Sequence, residues 1–179
     1  MVANEQDVFA QIPEARQNYR IQVGSPGDGA FVRQWHGRER IGSEPGARTM
    51  RWSTSASQLH LPVEPGRPYR VTIELSAPRE AISPEAGLYL DGRRIATIQA
   101  GVSTVTADLP ATQRTAVTLE LRCRGWVPRD VLRESHDDRT LGVSVYSVAV
   151  QAKDAPTRVF NANLGEWLDT AAATQPAGK

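Results

Sequence analysis

Every second residue of the stretch Tyr69-Arg70-Val71-Thr72-Ile73-Glu74-Leu75 is apolar, and those between are polar or charged. An extended backbone points successive side chains to opposite sides, so this spacing fits a strand with one buried face and one wet face. The same alternation returns along the chain. Val117, Leu119, Leu121 and Cys123 interleave with Thr118, Glu120 and Arg122, and Tyr19, Ile21 and Val23 begin an early strand. Leu59, Leu61 and Val63, then Val105, Ala107 and Leu109, then Leu141, Val143 and Val145 repeat the period. Beyond Val145 the parity slips, because Val148 and Val150 fall on the other phase, which predicts a β-bulge or a strand covered on both faces.

Turn chemistry punctuates these runs. Asp91-Gly92 lies between Leu88–Leu90 and Ile95–Ile98, and both residue types tolerate the positive φ of a tight hairpin. Gly24 to Gly29, Glu64 to Pro68 and Ser76 to Pro78 carry further Gly and Pro breaks. About nine or ten short strands at such spacing predict an all-β fold, an antiparallel two-sheet β-sandwich of the jelly-roll kind. Helical spacing occurs only near the end, where Asn163 as N-cap, Glu166 three residues on, and Leu164, Trp167, Leu168 and Ala171 predict a short C-terminal helix. The expected organisation is an N-terminal extension over 1–18, the sandwich over 19–152, and a short helix with flexible tail over 153–179.

With 179 residues, 40% of them hydrophobic and 23% charged, the chain can bury one sizeable core. Its net charge of +1 exerts no general pull on nucleic acid. Arg33, Arg38, Arg40, Arg48 and Arg51 are crowded together, a local bias that suits an anionic or hydroxyl-rich ligand. Lys occurs only at Lys153 and Lys179, so a general preference for Arg over Lys explains the same crowding. Cys123 is the single cysteine, which excludes an intramolecular disulfide and points to a structural thiol at a strand end. Met1 to Gln11 lack the basic and apolar regions of an export signal, and no apolar run reaches membrane-spanning length.

Catalytic signatures are missing from the order of residues. His36, His60 and His136 are scattered, and no His-Glu-x-x-His, Gly-x-Ser-x-Gly or phosphate loop occurs. Paired carboxylates for glycoside hydrolysis can come from distant strands, so a hydrolase stays open as a weaker reading. Asp137 and Asp138 offer hard oxygen donors to calcium; alternatively the segment is a turn in which an Asp bonds the local backbone while Arg139 forms an ion pair that anchors the strand entry. Trp35, Trp52 and Trp126 can stack on the C–H faces of sugar rings or fill the sandwich. Trp52 shares a face with Met50 and is expected in the core, whereas Trp35 and Trp126 lie nearer loops.

Several stretches resemble a known group. Thr49-Met50-Arg51-Trp52-Ser53, Leu59-His60-Leu61-Pro62-Val63, Leu88 to Arg94, Cys123-Arg124-Gly125-Trp126-Val127-Pro128 and Asp138-Arg139-Thr140-Leu141-Gly142-Val143 are similar to accessory jelly-roll domains of bacterial glycosyltransferase and polysaccharide-assembly proteins. Those domains are galactose-binding-like sandwiches, and the resemblance covers about residues 19 to 151. It implies an architecture and a neighbourhood, that of non-catalytic sandwiches attached to carbohydrate enzymes. The expected function is a carbohydrate-binding module with a glycan as partner. The expected ligand contacts are Trp35, His36, Arg38, Arg124, Trp126, His136 and Asp137. A structural or protein-interaction module, with Leu164, Trp167 and Leu168 docked on its own body or a partner, is the rival reading.

Overall fold

The computed structural model describes residues 6–168. A short helix α1 (Gln6–Gln11) and a 3-10 turn (Pro13–Gln17) lead into eleven strands. They are β1 (Asn18–Gln22), β2 (Val32–Ile41), β3 (Arg48–Pro62), β4 (Tyr69–Ser76), β5 (Gly87–Leu90), β6 (Arg93–Thr97), β7 (Thr104–Leu109) and β8 (Ala116–Arg122), then, after a single turn of helix α2 (Pro128–Val131), β9 (Ser144–Ala152), β10 (Phe160–Asn161) and β11 (Glu166–Trp167). Among the described residues no helix is long and apolar enough to cross a membrane.

The fold is an all-β sandwich. One layer runs β11-β10-β1-β9-β4-β7 and the other β2-β3-β8-β5-β6. Their hydrogen bonding is continuous, because the start of β3 pairs with the start of β9 at Arg51–Val145 and Trp52–Ser144. All pairs are antiparallel except β1 with β10, in keeping with a mostly antiparallel sandwich. The parallel pair arises because the chain crosses from β9 to the far edge of β1 before it reaches Phe160.

The alternating residues meet in one core. Leu59, Leu61, Val117, Leu119, Leu121 and Leu88 of one layer face Tyr19, Ile21, Val71, Ile73, Val148 and Val150 of the other, all within one buried cluster. Each such aliphatic side chain taken from water contributes about 1.5–3 kcal/mol, which makes this interface the main source of stability. The parity slip after Val145 is a bulge. Glu74 is opposite Ser147 and Leu75 is opposite Val145, so Tyr146 is the extra residue. In the β5–β6 hairpin Asp91 and Gly92 have φ of 50° and 79°, the two positive angles that a tight primed turn requires.

Two features go beyond the sequence reading and one expectation needs correction. First, β3 is one strand of 15 residues that joins the Met50–Trp52 segment to the Leu59–Leu61 segment. The Arg-rich stretch before it is its hairpin partner β2, with register shifts on either side of Trp35 that hide the period-two pattern. Second, in the described part of the segment before Tyr19, Phe9 is buried against the rings of Tyr19, Phe31 and Phe160 and joins the core.

Third, Asn163 caps no helix. Its side-chain amide accepts from Gln22 N at 2.6 Å and donates to Gln22 O at 2.8 Å, imitating a strand residue. Such side-chain bonding to backbone competes with helix formation. The following residues form β11, with Trp167 against Phe160 at 5.2 Å. Ala171, the last residue of the expected helix, lies outside the described residues.

Candidate functional site

The expected ligand contacts fall into two groups. Trp126 is half-buried, its indole N–H donates to Gly142 O at 2.9 Å, and its ring meets Trp52 edge-on at 5.9 Å. Trp35 donates its indole N–H to Gln58 O at 2.8 Å and packs against the core. His36 Nε2 is 2.7 Å from Thr140 O, which ties β2 to the segment before β9. Arg38, Arg124 and His136 are exposed. The structure thus brings His36 beside the 137–140 segment, while Trp35 and Trp126 use their polar edges to hold backbone.

Asp137 serves the same joint. Both its oxygens accept from Arg139, at 3.0 Å to Nε and 2.7 Å to Nη2, and Oδ1 also accepts Arg139 N. Arg139 reaches on to Glu39 of β2 at 3.0 Å. These bonds from Arg139 hold the Asp137 carboxyl down at about 2, and they raise the guanidinium in turn. A carboxylate so occupied is a turn anchor, and a calcium ion there would have to displace the guanidinium. Among the described residues no group of acidic, His or Cys side chains gathers to hold a metal.

Cys123 behaves likewise as structure. Its Sγ lies 3.4 Å from Thr54 O and 3.6 Å from Ser53 Oγ, and burial pushes the thiol up. A Cβ on Gly142 would come within 2.6 Å of that sulfur and 2.3 Å of Ser53 Oγ, so only glycine lets the chain pass there.

The polar concavity is elsewhere, on the outer face of the β10-β1-β9-β4-β7 layer. Register lines its outward residues into rows. Asn161, Arg20, Ala149, Thr72 and Thr106 make one row across the five strands. Gln22, Ser147, Glu74 and Thr104 make a second, and Asn18, Gln151, Arg70 and Asp108 a third. A groove of about 680 Å³ lies over the β10-β1-β9 end, lined by Arg20, Gln22, Ala149, Gln151, Thr157 and Asn161 among others. Ala149 is the small residue of the first row, and its methyl leaves the floor low between longer neighbours.

The donors around this floor are largely uncommitted. The Gln22 and Gln151 amides and Asn161 Nδ2 have no protein partner among the described residues, although Asn161 Oδ1 accepts from Asn163 N and Leu164 N. Arg20 makes one long contact to Ser147 Oγ at 3.4 Å and lies 3.8 Å from Glu74. Glu74 is held more closely by Arg48, whose guanidinium also stacks over the Tyr146 ring at 4.2 Å. Amides, hydroxyls and a guanidinium around a shallow floor suit a ligand rich in hydroxyl groups. Alternation marks these residues as outward-facing; which of them lie side by side follows only from register across strands distant in sequence.

No family model and no curated protein matches this sequence. Among solved structures the chain is similar to the ANX2 ectodomain from Arabidopsis thaliana, at 9% identity and a TM-score of 0.49, over 76% of this chain and 42% of that one. It is similar also to the ANX1 ectodomain from Arabidopsis thaliana, at 10% identity and a TM-score of 0.46, over 76% of this chain and 41% of that one. The chain therefore spans about two fifths of the length of these ectodomains.

Proposed function

We propose that the chain is a non-catalytic carbohydrate-binding module that serves a larger glycan-synthesising or glycan-processing system. The observation that carries the reading is the groove over Ala149, where the Gln22 and Gln151 amides and Asn161 Nδ2, which have no protein partner among the described residues, stand with the Arg20 guanidinium around one floor. Sugar hydroxyls act as both donors and acceptors, and side-chain amides meet both roles. The sequence resemblance to accessory domains of glycosyltransferase and polysaccharide-assembly proteins supports the proposed setting. Binding sits on the sheet face in this reading, and the Trp35, His36, Trp126 and Asp137 contacts frame the fold.

The test is a glycan array probed with the native domain and with Gln151→Ala and Arg20→Ala variants. Signal on one class of glycan, lost in both variants while their melting temperatures stay near native, is the expected result. A native domain that binds no glycan overturns it. A second reading, a protein-interaction module with no small ligand, draws on the adjacent exposed side chains of Val131 and Leu132, 47% and 53% accessible.

A further inference from the structure

A second groove, of about 610 Å³, lies where β4, β7 and the end of β9 meet. Arg70, Asp108, Gln151, Lys153 and Asp154 give it its polar lining. Gln151 belongs to both grooves, because β9 is the middle strand and its outward side chain stands between β1 and β4. In register it is opposite Asn18 on one side and Arg70 on the other, and Asp108 continues the row. The adjoining row is low as well, with Ala149, Thr72 and Thr106 in sequence across β9, β4 and β7.

We infer that the two grooves form one trough that takes an internal stretch of a linear glycan, several sugar units long, in preference to a single terminal sugar; this rests on the carbohydrate reading above. Four strand intervals separate β10 from β7, on the order of 19 Å at the usual spacing between neighbouring strands. Either groove has the volume of an ordinary small-ligand site, so one sugar would leave the other empty. The polar groups are also spread along the trough. Asn161 and Arg20 stand near one end, Gln151 at the middle, and Arg70, Asp108 and Lys153 at the other. Arg70 is paired with Asp108 at 3.0 Å, and Lys153 makes no ion pair among the described residues. A chain laid across the strands would meet donors at each step, and each further sugar in contact adds affinity.

The experiment is calorimetric titration of the native domain with di- to octasaccharides cut from cellulose, xylan, chitin and alginate. Affinity for at least one series should rise with length, by roughly tenfold or more between disaccharide and hexasaccharide, then level off once the trough is filled. Arg70→Ala should weaken the hexasaccharide several-fold and leave the disaccharide unchanged, whereas Asn161→Ala should weaken both. Lys153→Ala, at an exposed loop position of the same groove, repeats the Arg70 arm if that variant folds poorly. A disaccharide bound as tightly as an octasaccharide, or a hexasaccharide indifferent to both Arg70 and Lys153, overturns the trough and leaves the carbohydrate reading standing. Failure of every series to bind, together with a blank glycan array, overturns both.

Discussion

Arg51 lays its guanidinium along the buried Asp28 carboxylate, with Nε 2.7 Å from Oδ2 and Nη2 2.9 Å from Oδ1. Asp28 Oδ2 also accepts Gly24 N at 2.7 Å, and Arg51 Nη1 donates to His36 O at 2.9 Å. One ion pair therefore joins the loop after β1 to β3 and β2, at the place where the β2–β3 register is irregular.

Breaking that pair from one side should be costly, because the remaining charge stays partly enclosed. Asp28→Asn is expected to lower stability by about 3 kcal/mol, and Arg51→Met by a similar amount. The double variant should cost less than the sum of the two, since each single change strands the other partner. Urea unfolding of the four proteins checks this, and simple additivity would mean that the two residues act separately.

Asp137 makes part of the stability depend on acid. Its folded carboxyl titrates at about 2, below the ordinary value, so the unfolded chain takes up this proton first as pH falls. The contribution of the Asp137–Arg139 contact is complete above the unfolded value, roughly pH 4, and disappears as pH falls through the folded one. The melting temperatures of native and Asp137→Asn proteins should differ at pH 6 and converge on acidification towards pH 2. A difference that persists unchanged at low pH would remove this carboxylate from the acid response.

Trp126→Ala separates packing from ligand contact. The ring is half-buried against Trp52 and its N–H holds Gly142 O, so the change should cost about 2 kcal/mol, somewhat under the loss at a fully buried Trp. Glycan binding at saturating temperature stability, measured well below the melting point, should remain. An unchanged melting temperature with binding abolished would return Trp126 to the role of a sugar platform.

Ala149→Trp fills the floor of the groove from an outward-facing position. Its indole would stand between Arg20 and Thr72, its cross-strand neighbours. Binding of any glycan found for the native domain should fall by roughly tenfold or more through steric exclusion, while the melting temperature changes little. Tight binding by this variant would place the ligand elsewhere.

The alternating residues determined the fold class and most of the core by themselves. Leu59, Leu61, Val71, Ile73, Leu119 and Leu121 are all buried, because a strand with one apolar parity has only one face it can turn inward. Asp91-Gly92 and the parity slip at Tyr146 were equally legible, since each is a local property of two or three residues. The β2 strand was not, because two register irregularities break its period. Nor was the end of the chain: a helical spacing of Leu164, Trp167 and Leu168 was outweighed by the Asn163 bonds to Gln22, a partner 141 residues away.

The candidate site divides in the same manner. Residue type alone singled out Trp35, His36, Trp126 and Asp137 as chemically capable, and each already makes a hydrogen bond within the fold, to Gln58, Thr140, Gly142 and Arg139 respectively. Whether a polar group is free for a ligand depends on what the fold places within about 3 Å of it. Gln22, Gln151 and Asn161 look ordinary in the sequence. They become a candidate site because strand pairing brings β1, β9 and β10 together, with their outward amides round one alanine, and that register is decided only in three dimensions.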